Sequence, residues 1–274
     1  MEENLNSLKI DLRRALKSWG FIAGIIGMVA VMVFGSFESI LPFLQGFVES
    51  LPEGFHEQMI LTAMSSDIMM FCVPILAALP YTAVFVEEYK SGYLKECLPR
   101  SGVQSYIAGK VFSTGISGGL VLFCGIICVY IAFVLIFTPV EVIPQMPDET
   151  MVGSMAAPTD MTQMATPSMF VDILGQAFLF FLSGMFWSLL GALFAAVTMN
   201  RYLAYAFPFI LYYVLIILCT RYFTGVYILN PREWTGMTML WPGGIWSMIL
   251  FLGEIILIAG ILYAMVIKRR LSDA

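Results

Sequence analysis

Six apolar runs, near residues 19–36, 68–86, 111–138, 170–199, 202–222 and 245–267, dominate this chain of 274 residues. A helix needs roughly 20 residues to cross a hydrocarbon core about 30 Å thick, and each run meets or approaches that length. The rest of the composition agrees: 59% of residues are apolar, only 12% are charged, and mean hydropathy is +0.87. Such values lie outside the range of soluble domains. The expected fold is all-α, a single polytopic membrane domain over 1–274 with six transmembrane helices.

Basic residues set the expected orientation, because Lys and Arg resist translocation. Lys9, Arg13, Arg14, Lys17, Lys90, Lys95, Arg100, Lys110, Arg201, Lys268, Arg269 and Arg270 fall on one side of the six-span map, and Arg221 and Arg232 on the other. This predicts both termini in the cytoplasm. The first span is read as retained, since no A-x-A-like cleavage site follows it. Cys72, Cys124, Cys128 and Cys219 fall in spans and Cys97 in an inner loop, so no disulfide is expected. The outer face is acidic, which either draws cationic solutes or merely reflects the exclusion of basic residues.

Ahead of the first span, Leu5, Leu8, Leu12, Leu16 and Trp19 recur at helical steps, with Lys9, Arg13 and Lys17 on another face. Residues 1–18 therefore read as an amphipathic helix lying in the membrane interface. Between the second and third spans, residues 87–110 form a charged island. There Tyr89 with Tyr93 and Leu94 with Leu98 make pairs at i and i+4. Gly92 separates a short helix around 93–98 from the second span, Pro99 is expected to end it at Leu98, and Ser101 with Gln104 has capping-box spacing for the next helix. The island is either a helical finger whose apolar ridge docks a soluble partner, or an amphipathic loop resting on headgroups.

The order Glu88, Gly92, Leu94, Leu98, Pro99, Arg100, Tyr106, Lys110, set between spans two and three of six, resembles the type-2 permeases of bacterial ABC transporters. The resemblance covers the whole chain in architecture and is carried in sequence by this one loop. It implies a cytoplasmic coupling helix, with Glu88, Gly92, Tyr93, Leu94, Leu98, Pro99 and Arg100 in the contact with a separate ATP-binding subunit. It implies two copies of that subunit, a second permease (identical or homologous), and a partly buried re-entrant segment over 223–244.

No ATPase chemistry is expected in the chain. Gly109-Lys110 has Gln104 where a P-loop needs its first glycine and Val111 where it needs Ser or Thr. ATP and magnesium therefore belong to the partner, and no catalytic, cofactor or metal residues are assigned. His56 stands without a zinc-type motif. Glu254 is the one acid well inside a predicted span, where a charge costs about 3 kcal/mol or more unless paired, protonated or wetted. It is either a cavity residue meeting cationic cargo or a packing element with partners such as Ser247. The outer loop 139–169 is rich in methionine (Met146, Met151, Met155, Met161, Met164, Met169); it suits cargo contact or flexibility better than copper, for want of Cys or His nearby. Gly115 with Gly119 and Gly20 with Gly24 suit close helix approach, and Pro74, Pro80 and Pro208 should bend their helices.

The expected function is that of a permease subunit of an ATP-driven exporter in a bacterial cell membrane. It would move a hydrophobic or amphipathic cargo, first of all an antimicrobial peptide of the bacteriocin or lantibiotic kind. Membrane lipids are expected partners and nucleic acid is not. A proton-coupled carrier using Glu254 and a non-transporting scaffold or sensor are the alternatives.

Overall fold

The structure is a computed structural model that describes residues 2–37, 40–41, 55–136, 167–223, 227–235 and 244–272. Among these residues every regular element is helical. In chain order they are α1 (Glu2–Leu16), α2 (Trp19–Gly35), α3 (Phe55–Ser65), α4 (Asp67–Ala78), α5 (Val84–Ser91), α6 (Tyr93–Ser101), α7 (Val103–Ile136), α8 (Pro167–Thr198), α9 (Arg201–Arg221) and α10 (Gly244–Ser272). Short 3-10 turns cover Tyr227–Leu229 and Pro231–Trp234. Of the Met-rich loop expected over 139–169, residues 139–166 lie outside the described residues and 167–169 belong to the first turn of α8.

Among the described residues four helices are long and apolar enough to cross a membrane: Val103–Ile136, Phe170–Thr198, Arg201–Arg221 and Gly244–Ser272. Two bent pairs bring the candidates to as many as six. Leu8–Leu16 meets Trp19–Gly35 at 49°, and His56–Ser65 meets Asp67–Ala78 at 71°. The bends have local causes. Ser18 has extended backbone and accepts from Phe21 N at 3.1 Å, capping α2, while its own hydroxyl donates to Pro80 O at 3.1 Å. Ser66 does the same for α4, accepting from Met69 N at 3.3 Å. Each serine satisfies an orphan N–H that a new helix exposes. The second bend falls in a segment that the hydropathy pattern assigned to an outer loop.

The centre of the bundle is the hairpin of α7 and α8. Tyr130 meets Phe170, Phe123 meets Phe181, and Ser188 Oγ donates to Thr114 O at 3.1 Å, so the two helices run antiparallel. They approach closely because glycine lines the seam: a Cβ at Gly184 would lie 2.8 Å from Gly118 O and 3.0 Å from Gly119 Cα. Gly119 thus packs against α8. On one flank α2 runs parallel to α7, with Gly24 against Val121 and Gly125 against Met28, and antiparallel to α4. On the other flank α9 and α10 lean on α8, Trp187 meeting Tyr212 at 5.5 Å.

This arrangement gathers α1, the α5–α6 connection, the α8–α9 turn and the C-terminal turn of α10 at one end. Arg270 reaches Val197 O there, and Lys90 shares a cleft with Arg201. Trp234 marks the far half: it is 3% exposed, stacks on Trp187 at 6.0 Å and donates from Nε1 to Ile228 O at 2.8 Å. Of the 223–244 segment, 224–226 and 236–243 lie outside the described residues.

Candidate functional site

At the basic end, four ionised side chains meet under α1. Asp11 and Arg14 are one helical turn apart on α1, Tyr106 and Lys110 one turn apart on α7, Glu88 comes from α5, and Tyr81 from the break between α4 and α5. Lys110 is 1% exposed and Glu88 3%. Lys110 Nζ donates to Asp11 Oδ1 at 3.0 Å, to Glu88 Oε1 at 2.9 Å and to Tyr81 OH at 2.9 Å. An ammonium has three donors, and all three are used. Glu88 Oε1 also accepts from Arg14 Nη1 at 2.7 Å, and Glu88 Oε2 from Tyr106 OH at 2.7 Å; Tyr81 OH donates to Asp11 at 3.0 Å. The Lys110 ammonium lies 4.9 Å from the Tyr81 ring centroid and 5.2 Å from that of Tyr106.

Two positive and two negative groups make the cluster neutral. With the three Lys110 donors all used, the cluster ties three separate segments together. The strength of the tie lies in the buried Lys110–Glu88 pair. Arg14, with a side chain 55% exposed, adds less, because water screens it.

Directly below this cluster sits α6, set off by two left-handed glycines. Gly92 has φ 75° and Gly102 φ 72°, values that cost an L residue with a Cβ roughly 1–2 kcal/mol each. The helix runs through Pro99 to Ser101 and is closed by Gly102, whose N–H donates to Leu98 O at 3.0 Å. The expected stop at Leu98 and the capping role of Ser101 are therefore corrected. Pro99 withholds an N–H from the carbonyl of Lys95, which lies on the exposed side where water can serve it.

The apolar ridge of α6 faces the protein itself. Leu94 is 5% exposed and joins Phe85, Val86 and Tyr106 in an internal cluster, against which Leu98 is half-buried. Glu88 points into the ion-pair cluster. Of the residues expected in a partner contact, Glu88 and Leu94 are thus buried in the chain, Leu98 partly so, and Gly92, Tyr93 and Pro99 are exposed together with Lys95 and Glu96. The Arg100 side chain lies outside what is described. The Tyr93 phenol has a raised pKa, first through Cys97 beside it, then through partial burial and the Glu88 charge.

The interfacial helix also differs from expectation. Its inner face carries Asp11 and the fully buried Ala15 against α7, so α1 docks on protein as well as offering basic residues outward. Asp11 and Tyr81 escaped sequence reasoning. The usable signals were an acid in a basic helix and a lysine heading a long apolar run, each in need of a countercharge.

Glu254 lies far from this cluster in sequence, on α10, and its side chain is exposed. Ser247 does not hold it, since its hydroxyl donates to Gly244 O at 2.8 Å. Among the described residues no three His, Cys, Asp or Glu side chains converge as a metal site would require. Comparison with protein-family models gives no match, and no curated protein matches the chain either.

Proposed function

We propose that this chain is the membrane-spanning permease subunit of an ATP-driven exporter in a bacterial cell membrane. In this reading each bent pair is one span, giving six, and the basic end is cytoplasmic by the distribution of Lys and Arg. Two such subunits and two ATP-binding subunits form the working unit. The cargo is hydrophobic or amphipathic, with cationic antimicrobial peptides the first candidates because the outer segments are acidic.

One observation carries the proposal. The short helix α6 is isolated by hinged glycines, shows solvent a small face of Tyr93, Lys95, Glu96 and Pro99, and is fastened on its other face to the spans through Leu94 and the ion-pair cluster next to it. A partner that pushes on the exposed face would move α5, α7 and α1 together. The docking contact is accordingly assigned to that face and not to the leucine ridge.

Lys95→Cys tests both orientation and docking. The expected result is no reaction with an impermeant maleimide in intact cells, reaction in inverted vesicles, and protection when a cognate ATP-binding subunit is co-expressed. Labelling in intact cells overturns the orientation, and unprotected labelling in an assembled complex overturns the contact.

A carrier driven by protons is the second reading, favoured by the exposed Glu254 carboxylate within a long apolar helix. Glu254→Gln decides between them. In the exporter, cargo-stimulated ATP turnover falls while basal turnover and assembly persist. In the carrier, uptake or efflux in vesicles driven by a pH gradient is abolished without any ATPase present.

A further inference from the structure

A groove of about 700 Å³ runs along the outside of the bundle between α7, α8 and α10. Its walls are apolar from Gly253 through Phe112, Leu189 and Gly260, and its polar residues, Gln104 and Lys268, stand at one end. The 15 residue steps from Gly253 to Lys268 span roughly 22 Å at the helical rise. That equals about half of a bilayer 40–45 Å thick with its headgroups. The groove is therefore one leaflet deep, greasy along its length and positively charged where the headgroups lie. At its inner end a Cβ on Gly253 would meet nothing within 4 Å, so that space is open.

We propose that the groove is a binding site for an anionic phospholipid of the leaflet at the basic end, an acyl chain filling the apolar trough and the phosphate paired with Lys268. Charge decides against a second copy of the chain as occupant. Two copies related by a two-fold axis along the membrane normal place Lys268 of each at the same depth, like charge facing like. A phosphate supplies the opposite charge, and each basic residue near an anionic lipid surface contributes about 1 kcal/mol, close to a fivefold preference. The inference does not depend on any ATP-binding partner.

The experiment uses the complete chain purified in detergent, with dioleoyl phosphatidylglycerol or dioleoyl phosphatidylcholine added and bound lipid counted by native mass spectrometry. The expected result is retention of the phosphatidylglycerol about fivefold over the phosphatidylcholine. Lys268→Gln should bring the two lipids to parity while leaving the fold intact, since its side chain is exposed. Gly253→Phe, placed in open space, should lower retention of both lipids. Equal retention of the two lipids by the unaltered chain overturns the proposal, as does an unchanged preference in Lys268→Gln. A Gly253→Phe chain that loses self-association while keeping its lipid shows instead that a second copy covers the groove.

Discussion

Lys110→Met is expected to destabilise the protein by about 3–5 kcal/mol. The methionine fits the space of the lysine stem, so the loss is electrostatic. It leaves Glu88, 3% exposed, with Arg14 and Tyr106 as its hydrogen-bond partners, and leaves Asp11 with the Tyr81 hydrogen bond. Removing the second buried charge as well should restore part of the loss. The double variant Lys110→Met, Glu88→Leu is expected to be more stable than the sum of the two single changes by at least about 1 kcal/mol, because the pair is coupled. Unfolding in a denaturing detergent series, read by helicity, gives both numbers. Protease access at α1 gives an independent sign, since α1 is held to α7 through Asp11 and Ala15. Strict additivity would show that Lys110 and Glu88 do not form the tie described.

Leu94→Asp is the second. An apolar side chain 5% exposed is replaced by a carboxylate in the apolar cluster that includes Phe85, Val86 and Tyr106. Burying an unpaired charge or a neutralised, unsatisfied carboxyl costs several kcal/mol. The expected outcome is loss of folded protein or release of α6 from the bundle, measurable as a fall of many degrees in the detergent melting temperature and as new proteolysis near Gly92 and Gly102. A ridge free to face a soluble partner predicts otherwise: normal melting with impaired association. Wild-type melting in Leu94→Asp would thus refute the inward packing of α6.

Much of the architecture was legible in the sequence because transmembrane length and charge bias are local quantities. Apolar runs of sufficient length had to be helices, and α7, α8, α9 and α10 are. The amphipathic segment before Trp19 and the break at Gly92 were equally readable, since periodicity and a residue tolerant of positive φ are written in neighbouring positions. Seam glycines such as Gly119 could be expected to sit at a helix contact, though not which helix they would meet.

Partnership between distant positions was not legible. Asp11 and Lys110 are 99 residues apart and Tyr81 and Lys110 are 29 apart, and no periodicity links them. Only the docking of α1 on α7 decides that a lysine counted as a topological charge is instead a buried, three-fold donor. The same holds for the leucine pair of α6. Its spacing showed an apolar ridge, but a ridge can face a partner or its own protein. The choice fell to tertiary structure, because the two left-handed glycines turn α6 until Leu94 meets the cluster formed by α5, α7 and α8. Residue order determined the helices and their approximate ends; the packing of those helices determined which charges are paired and which face is left for something else to bind.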